Sequence, residues 1–168
     1  MSYRNKTYVA FDADTDIQYY RMMTAWKEND KIDFDFHNAH DLNNLMKTSS
    51  EDTIKRRLRE RLNNTKSFVL LVGEHTKNLY TFVRWEIQAA IDLDIPIICA
   101  NLNGLKSMDS GLCPPILKTH IALHVKFGMK PIKTAIDAWT SEYIAKQRSE
   151  GKGGPYYLPE SVYQGFEA

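Results

Sequence analysis

The sequence predicts an α/β domain, a flavodoxin-like three-layer α/β/α arrangement around a five-stranded parallel sheet. Two observations carry that reading. Strand-like and helix-like segments alternate about five times along the chain, the pattern of βαβ units. The runs SFVLLVG (67–73) and IPIICANL (95–102) are almost uniformly apolar, as strands covered on both faces by helices are. The size agrees: 168 residues, 43% hydrophobic and 26% charged, suffice for one core of this kind. No linker or internal repeat interrupts the chain before residue 150, so residues 1–149 read as the domain and 150–168 as a Gly/Pro/Tyr-rich extension.

The elements follow in order. TYVAF (7–11) is the first strand and runs into the acidic turn DADTD. A helix is expected from Asp16 to Asn29, with Ile17, Tyr20, Met23 and Trp26 on one face and Thr15 or Asp16 as its N-cap. KIDFDFHN alternates as a half-exposed strand and opens into the polar loop HNAHDLNNLMKTSS. Ser50 begins a second helix that buries Ile54, Leu58 and Leu62. After the strand at 67–73 a helix spans 78–93, IPIICANL is the next strand, and HIALHVKF (120–127) is a weaker one. One long helix, with Ile132, Ile136, Trp139 and Tyr143 on a stripe, is expected to run to Arg148. The tail reads as an irregular or mobile extension.

Composition excludes several functions. The formal net charge is +1, and the one basic block, KRRLRER, is broken at helical spacing by leucines, so it reads as a solvated face rather than a nucleic-acid surface. No window approaches a membrane span, and the first residues lack the apolar core of a secretory signal. Cys99 and Cys113 have no metal-ligand spacing and fit a reduced, cytoplasmic protein. The turn after the first strand reads FDADTD, without the glycines that a dinucleotide fingerprint needs. A phosphoacceptor receiver would require an aspartate ending the third strand, where Val72-Gly73-Glu74 stands. His37, His40 and Asp41 read as solvated loop residues. His120 and His124, four apart on a strand, lie too far apart to chelate readily.

One residue breaks its local pattern. In FVRWEIQAA (82–90), Glu86 has Phe82 and Val83 one turn before it and Ala89 and Ala90 one turn after. Residues three and four apart share a helix face, so a carboxylate stands where an apolar side chain is expected, while Arg84 falls on the polar face. A structural ion pair is one reading. The other is a carboxylate facing a cleft at the carboxyl edge of the sheet, where open α/β sheets bind ligands.

The block LNNTKSFVLLVGEHTKNLYTFVRWEIQAAIDLDIPIICANLNG resembles the TIR-like proteins of bacterial Thoeris antiphage defence and their DUF1863 relatives. Leu71-Val72-Gly73, Thr76 and Val83-Arg84-Trp85-Glu86-Ile87 carry the likeness, which extends over roughly residues 6 to 145. Catalytic TIR domains use the glutamate of this helix to break the nicotinamide–ribose bond of NAD, and Glu86 is the position that matches. The resemblance implies further NAD contacts from Phe11, Asp12 and Asp14 after the first strand. It implies others from His37, Asn38 and Asp41 in a gating loop at 37–45, and from Phe82, where the family usually has Trp. It implies NAD as substrate with no cofactor or metal, and self-association through TIR–TIR contacts. A phage-derived trigger and a separate effector protein reached through a nucleotide signal complete the picture. A TIR-like scaffold without turnover is the rival reading.

Overall fold

A computed structural model describes residues 6–29, 35–37, 49–78 and 82–164, with the side chains of 35–37 outside that description. Five strands form the expected parallel sheet: β1 (Lys6–Ala10), β2 (Asp35–His37), β3 (Thr65–Val72), β4 (Ile97–Asn101) and β5 (Ala122–Lys126), in the order β2-β1-β3-β4-β5. A sixth short strand, β6 (Pro155–Tyr157), pairs in parallel beyond β5. The register sets Tyr8 beside Phe68 and Phe68 beside Ile97. Because side chains alternate along a strand, Tyr8, Phe68, Ile97, Cys99 and His124 share one face of the sheet. Val9, Val69, Ile98 and Leu123 share the other. Both sets are buried, which is why β3 is apolar from Phe68 to Val72 and β4 from Ile97 to Ala100.

The helices are α1 (Ile17–Glu28), α2 (Glu51–Asn63), α3 (Phe82–Asp92), α4 (Met129–Ala138), α5 (Ser141–Ser149) and α6 (Glu160–Tyr163). Helices α2 and α3 lie side by side: the Lys55 ammonium sits 4.8 Å from the centre of the Trp85 ring, and Arg59 pairs with Asp92. Ser50 caps α2 by accepting a hydrogen bond from the Thr53 N–H, and Ile54, Leu58 and Leu62 are buried as their spacing predicts. On the opposite face, Ile136 and Trp139 share a cavity of about 360 Å³ with Ser67. Helix α1 reaches that side through Tyr19 and Trp26, whose rings meet Phe127 at 5.2 and 5.4 Å.

Two expectations differ from what the structure holds. The long helix expected up to Arg148 is two helices. Trp139 turns into the core at 2% exposure, and Thr140, in extended conformation, accepts the Tyr143 N–H and restarts the helix as α5. The restart shifts the helical phase, so Tyr143 leaves the buried stripe and is 44% exposed. Before α3, Thr76–Asn78 forms a 3₁₀ turn, and residues 79–81 of the expected helix lie outside the described residues. In the tail, Pro155–Tyr157 form β6 and Glu160–Tyr163 form α6 instead of an irregular run. The Tyr156 ring meets that of Trp139 at 5.0 Å and a tilt of 50°, and buried Tyr163 accepts a hydrogen bond from the Lys126 N–H.

Candidate functional site

From β1 the chain moves to one side to form β2 and to the other to form β3, so the carboxyl ends of β1 and β3 flank the switch point of the sheet. The turn that leaves β3 is built by two residues of the Gly–Thr pattern. Thr76, 1% exposed, accepts the Gly73 N–H at 2.9 Å and donates to the Leu71 carbonyl at 3.2 Å. Gly73 has no room for a side chain, because a β-carbon there would stand 2.2 Å from Asp16 Oδ2. The turn is thereby fixed, and α3 follows from it.

Glu86 lies four residues into α3, about 6 Å along its axis from Phe82. It is 2% exposed, and its Oε2 has no hydrogen-bond partner among the described residues. Burial pushes its carboxyl up to about 8, and interaction with the Tyr8 phenol opposes part of that shift. Tyr8, fully buried on β1, is stacked on Phe68 with ring centres 5.5 Å apart and planes within 4°. Its phenol is raised by burial and, next, by the Glu86 charge. Arg84 is exposed, and no ion pair joins it to Glu86 among the described residues. At neutral pH the free protein therefore holds Glu86 mostly protonated, in a site where ionising it is costly until a positive charge arrives.

The remaining expected site residues fall in different places. Phe11 is buried and stacks on Tyr20 of α1 at 4.9 Å. Asp12, 5% exposed, accepts the Asp14 N–H at 3.0 Å and the Thr15 hydroxyl at 2.8 Å, so its carboxylate closes the turn after β1. Asp14 is exposed. Phe82 is 8% exposed at the start of α3. The backbone of His37 ends β2; its side chain, Asn38 and Asp41 lie outside the described residues. The structure thus brings Glu86 together with Tyr8, and Phe11 together with α1.

Tyr8 was not among the residues read from the sequence as functional. A signal existed: a tyrosine inside a buried strand carries a hydroxyl that needs polar company, and Glu86 is the polar residue on the buried face of α3. His124, 1% exposed, is a further ionisable side chain on this face of the sheet. Burial lowers it to about 4, and its ring lies 6.3 Å from that of Tyr157.

A family model for the TIR-like domain of the Thoeris protein ThsB matches residues 8–107. That span is more than half of the 168 residues and holds Tyr8–Ala10 of β1, the switch point, α3 with Glu86, and β4. The protein belongs to the ThsB TIR-like family and is a signalling module of Thoeris antiphage defence.

Proposed function

We propose that the protein is an NAD-consuming enzyme that breaks the nicotinamide–ribose bond and releases an ADP-ribose-derived signal, with Glu86 as its catalytic residue. The observation that supports this reading is a buried carboxyl with an oxygen unpartnered among the described residues, at the position that the resemblance to TIR domains gives the catalytic glutamate and inside the span matched to the family. A carboxyl so desolvated, with no ion pair among the described residues, carries a stability cost, which marks it as a candidate functional group.

The chemistry needs little else. The C1′–N bond breaks with its electron pair leaving on nicotinamide, which departs neutral, and positive charge develops on the ribose as an oxocarbenium ion. An ionised Glu86 stabilises that charge and holds ribose hydroxyls in a low-dielectric site. The nicotinamide ring enters as a cation, which favours ionisation of a carboxyl that burial otherwise keeps protonated. Attack on C1′ by an internal nucleophile gives a cyclic isomer, by water ADP-ribose, and by a small nucleophile a conjugate.

At 2% exposure Glu86 must be uncovered before substrate reaches it, which fits a protein of low activity until a phage-derived trigger acts and TIR–TIR contacts form inside the cell. A separate effector then reads the nucleotide. The same burial favours a second reading, a TIR-like assembly module without turnover. Nicotinamide release from NAD by the purified protein, with and without infected-cell extract, separates the two. The enzymatic reading expects release that falls at least 100-fold in Glu86→Gln, on the order of losing one preorganised electrostatic group. Equal, background-level release from both proteins under every condition favours the scaffold.

A further inference from the structure

Asp16 stands at the N-cap position of α1, where an aspartate ordinarily accepts a hydrogen bond from the first turn of its helix. It makes no side-chain cap. Its carboxyl lies instead over the end of β3, where a β-carbon on Gly73 would fall 2.2 Å from Oδ2 and 2.8 Å from Cγ. Asp16 is 7% exposed, and Oδ2 is buried without a hydrogen-bond partner among the described residues. A forgone cap and a desolvated oxygen without a donor both cost stability. Asp16 and Gly73 together line a cleft of about 280 Å³ between the start of α1 and the ends of β3 and β4. The cleft is on the α1 side of the molecule, whereas Glu86 meets Tyr8 beneath α3.

We propose that this cleft binds a small organic cation, a protonated primary amine on an apolar stem, with the ammonium group held by Asp16. The ionisable groups around that point are Asp12, Asp16 and Glu74 against His75, so the local balance is anionic. An ionised carboxylate offers acceptors only, and an ammonium group brings three donors. Tyr19 and Leu112 on the walls suit an apolar stem, and the described residues contain no group of three His, Cys, Asp or Glu side chains that could hold a metal ion. The floor depends on Gly73, since any side chain there would displace the carboxyl.

The test is an NMR titration of the full ¹⁵N-labelled chain with phenethylamine, and with 2-phenylethanol as its uncharged counterpart. Phenethylamine should produce saturable shifts at the amides of Gly73, Thr15 and Asn103. The alcohol, and phenethylamine on Asp16→Asn, should each bind about tenfold more weakly, the size of losing one charge-assisted hydrogen bond. Asparagine is itself a favoured helix cap, so that variant keeps the fold. Gly73→Ala should lose binding equally. The proposal is overturned if phenethylamine gives no saturable shift in the millimolar range, if the alcohol binds as well as the amine, or if either variant binds like wild type. None of these readouts depends on NAD cleavage, so the outcome stands apart from the fate of the enzymatic reading.

Discussion

Folded, Glu86 keeps a proton that the unfolded chain releases near 4.5. Between pH 4.5 and about 8 the native state therefore binds more protons than the unfolded one, and stability falls as pH rises through that window. At pH 7 the cost is on the order of 3 kcal/mol. Glu86→Gln, which cannot ionise, should melt about 10 °C above wild type near pH 8 and close to it at pH 4.5; calorimetry across that range checks both the gain and its pH dependence. Since the Tyr8 phenol opposes the upward shift, Tyr8→Phe should move Glu86 higher still, read by the ¹³C shift of its carboxyl. If ionised Glu86 is the reactive form, kcat/KM for NAD should climb about tenfold per pH unit below 8 and level above it. Glu86 was legible in the sequence because it interrupts an apolar helix face. Asp16 was read as an ordinary cap, since nothing in a string of letters shows which way a carboxylate leans.

Turns and helix ends were the part of the sequence least open to reading. The glycine ending β3 and the threonine three residues on are recognisable as a pattern. Their reason is a three-dimensional one: two hydrogen bonds on a single hydroxyl and the approach of a carboxyl from another element. Thr76→Val keeps the shape and removes both bonds, leaving the Gly73 N–H buried without an acceptor. Urea denaturation should show a loss of about 1–3 kcal/mol. The division of α4 from α5 was hidden for a related reason, because an apolar stripe persists in the letters across a break that only Thr140 marks. Thr140→Ala should cost about 1 kcal/mol by the same measurement.

At the level of the whole molecule, alternation and the two apolar strands foretold the parallel five-stranded sheet, because burial on both faces leaves a direct trace in composition. The ordering of the tail left no such trace, since β6 and α6 depend on what they meet. Tyr156 covers Trp139, the Tyr163 hydroxyl takes the Lys126 N–H, and Glu160 pairs with Lys106 at 2.8 Å. Ending the chain at Glu150 should uncover the edge of β5 and one side of Trp139. The shortened protein should melt lower than the full chain and, as an open strand edge invites pairing, associate in a concentration-dependent way by light scattering.

The ammonium held over Trp85 gives the molecule an optical label of its own. A charge fixed above an indole shifts its emission, and Trp26 and Trp139 sit instead against aromatic rings. Trp85 is next in sequence to Glu86, so any turn of α3 that exposes the carboxyl also slides the indole from beneath Lys55. Uncovering of the glutamate thus carries a colour change in ultraviolet fluorescence, with Lys55→Met as the unshifted reference.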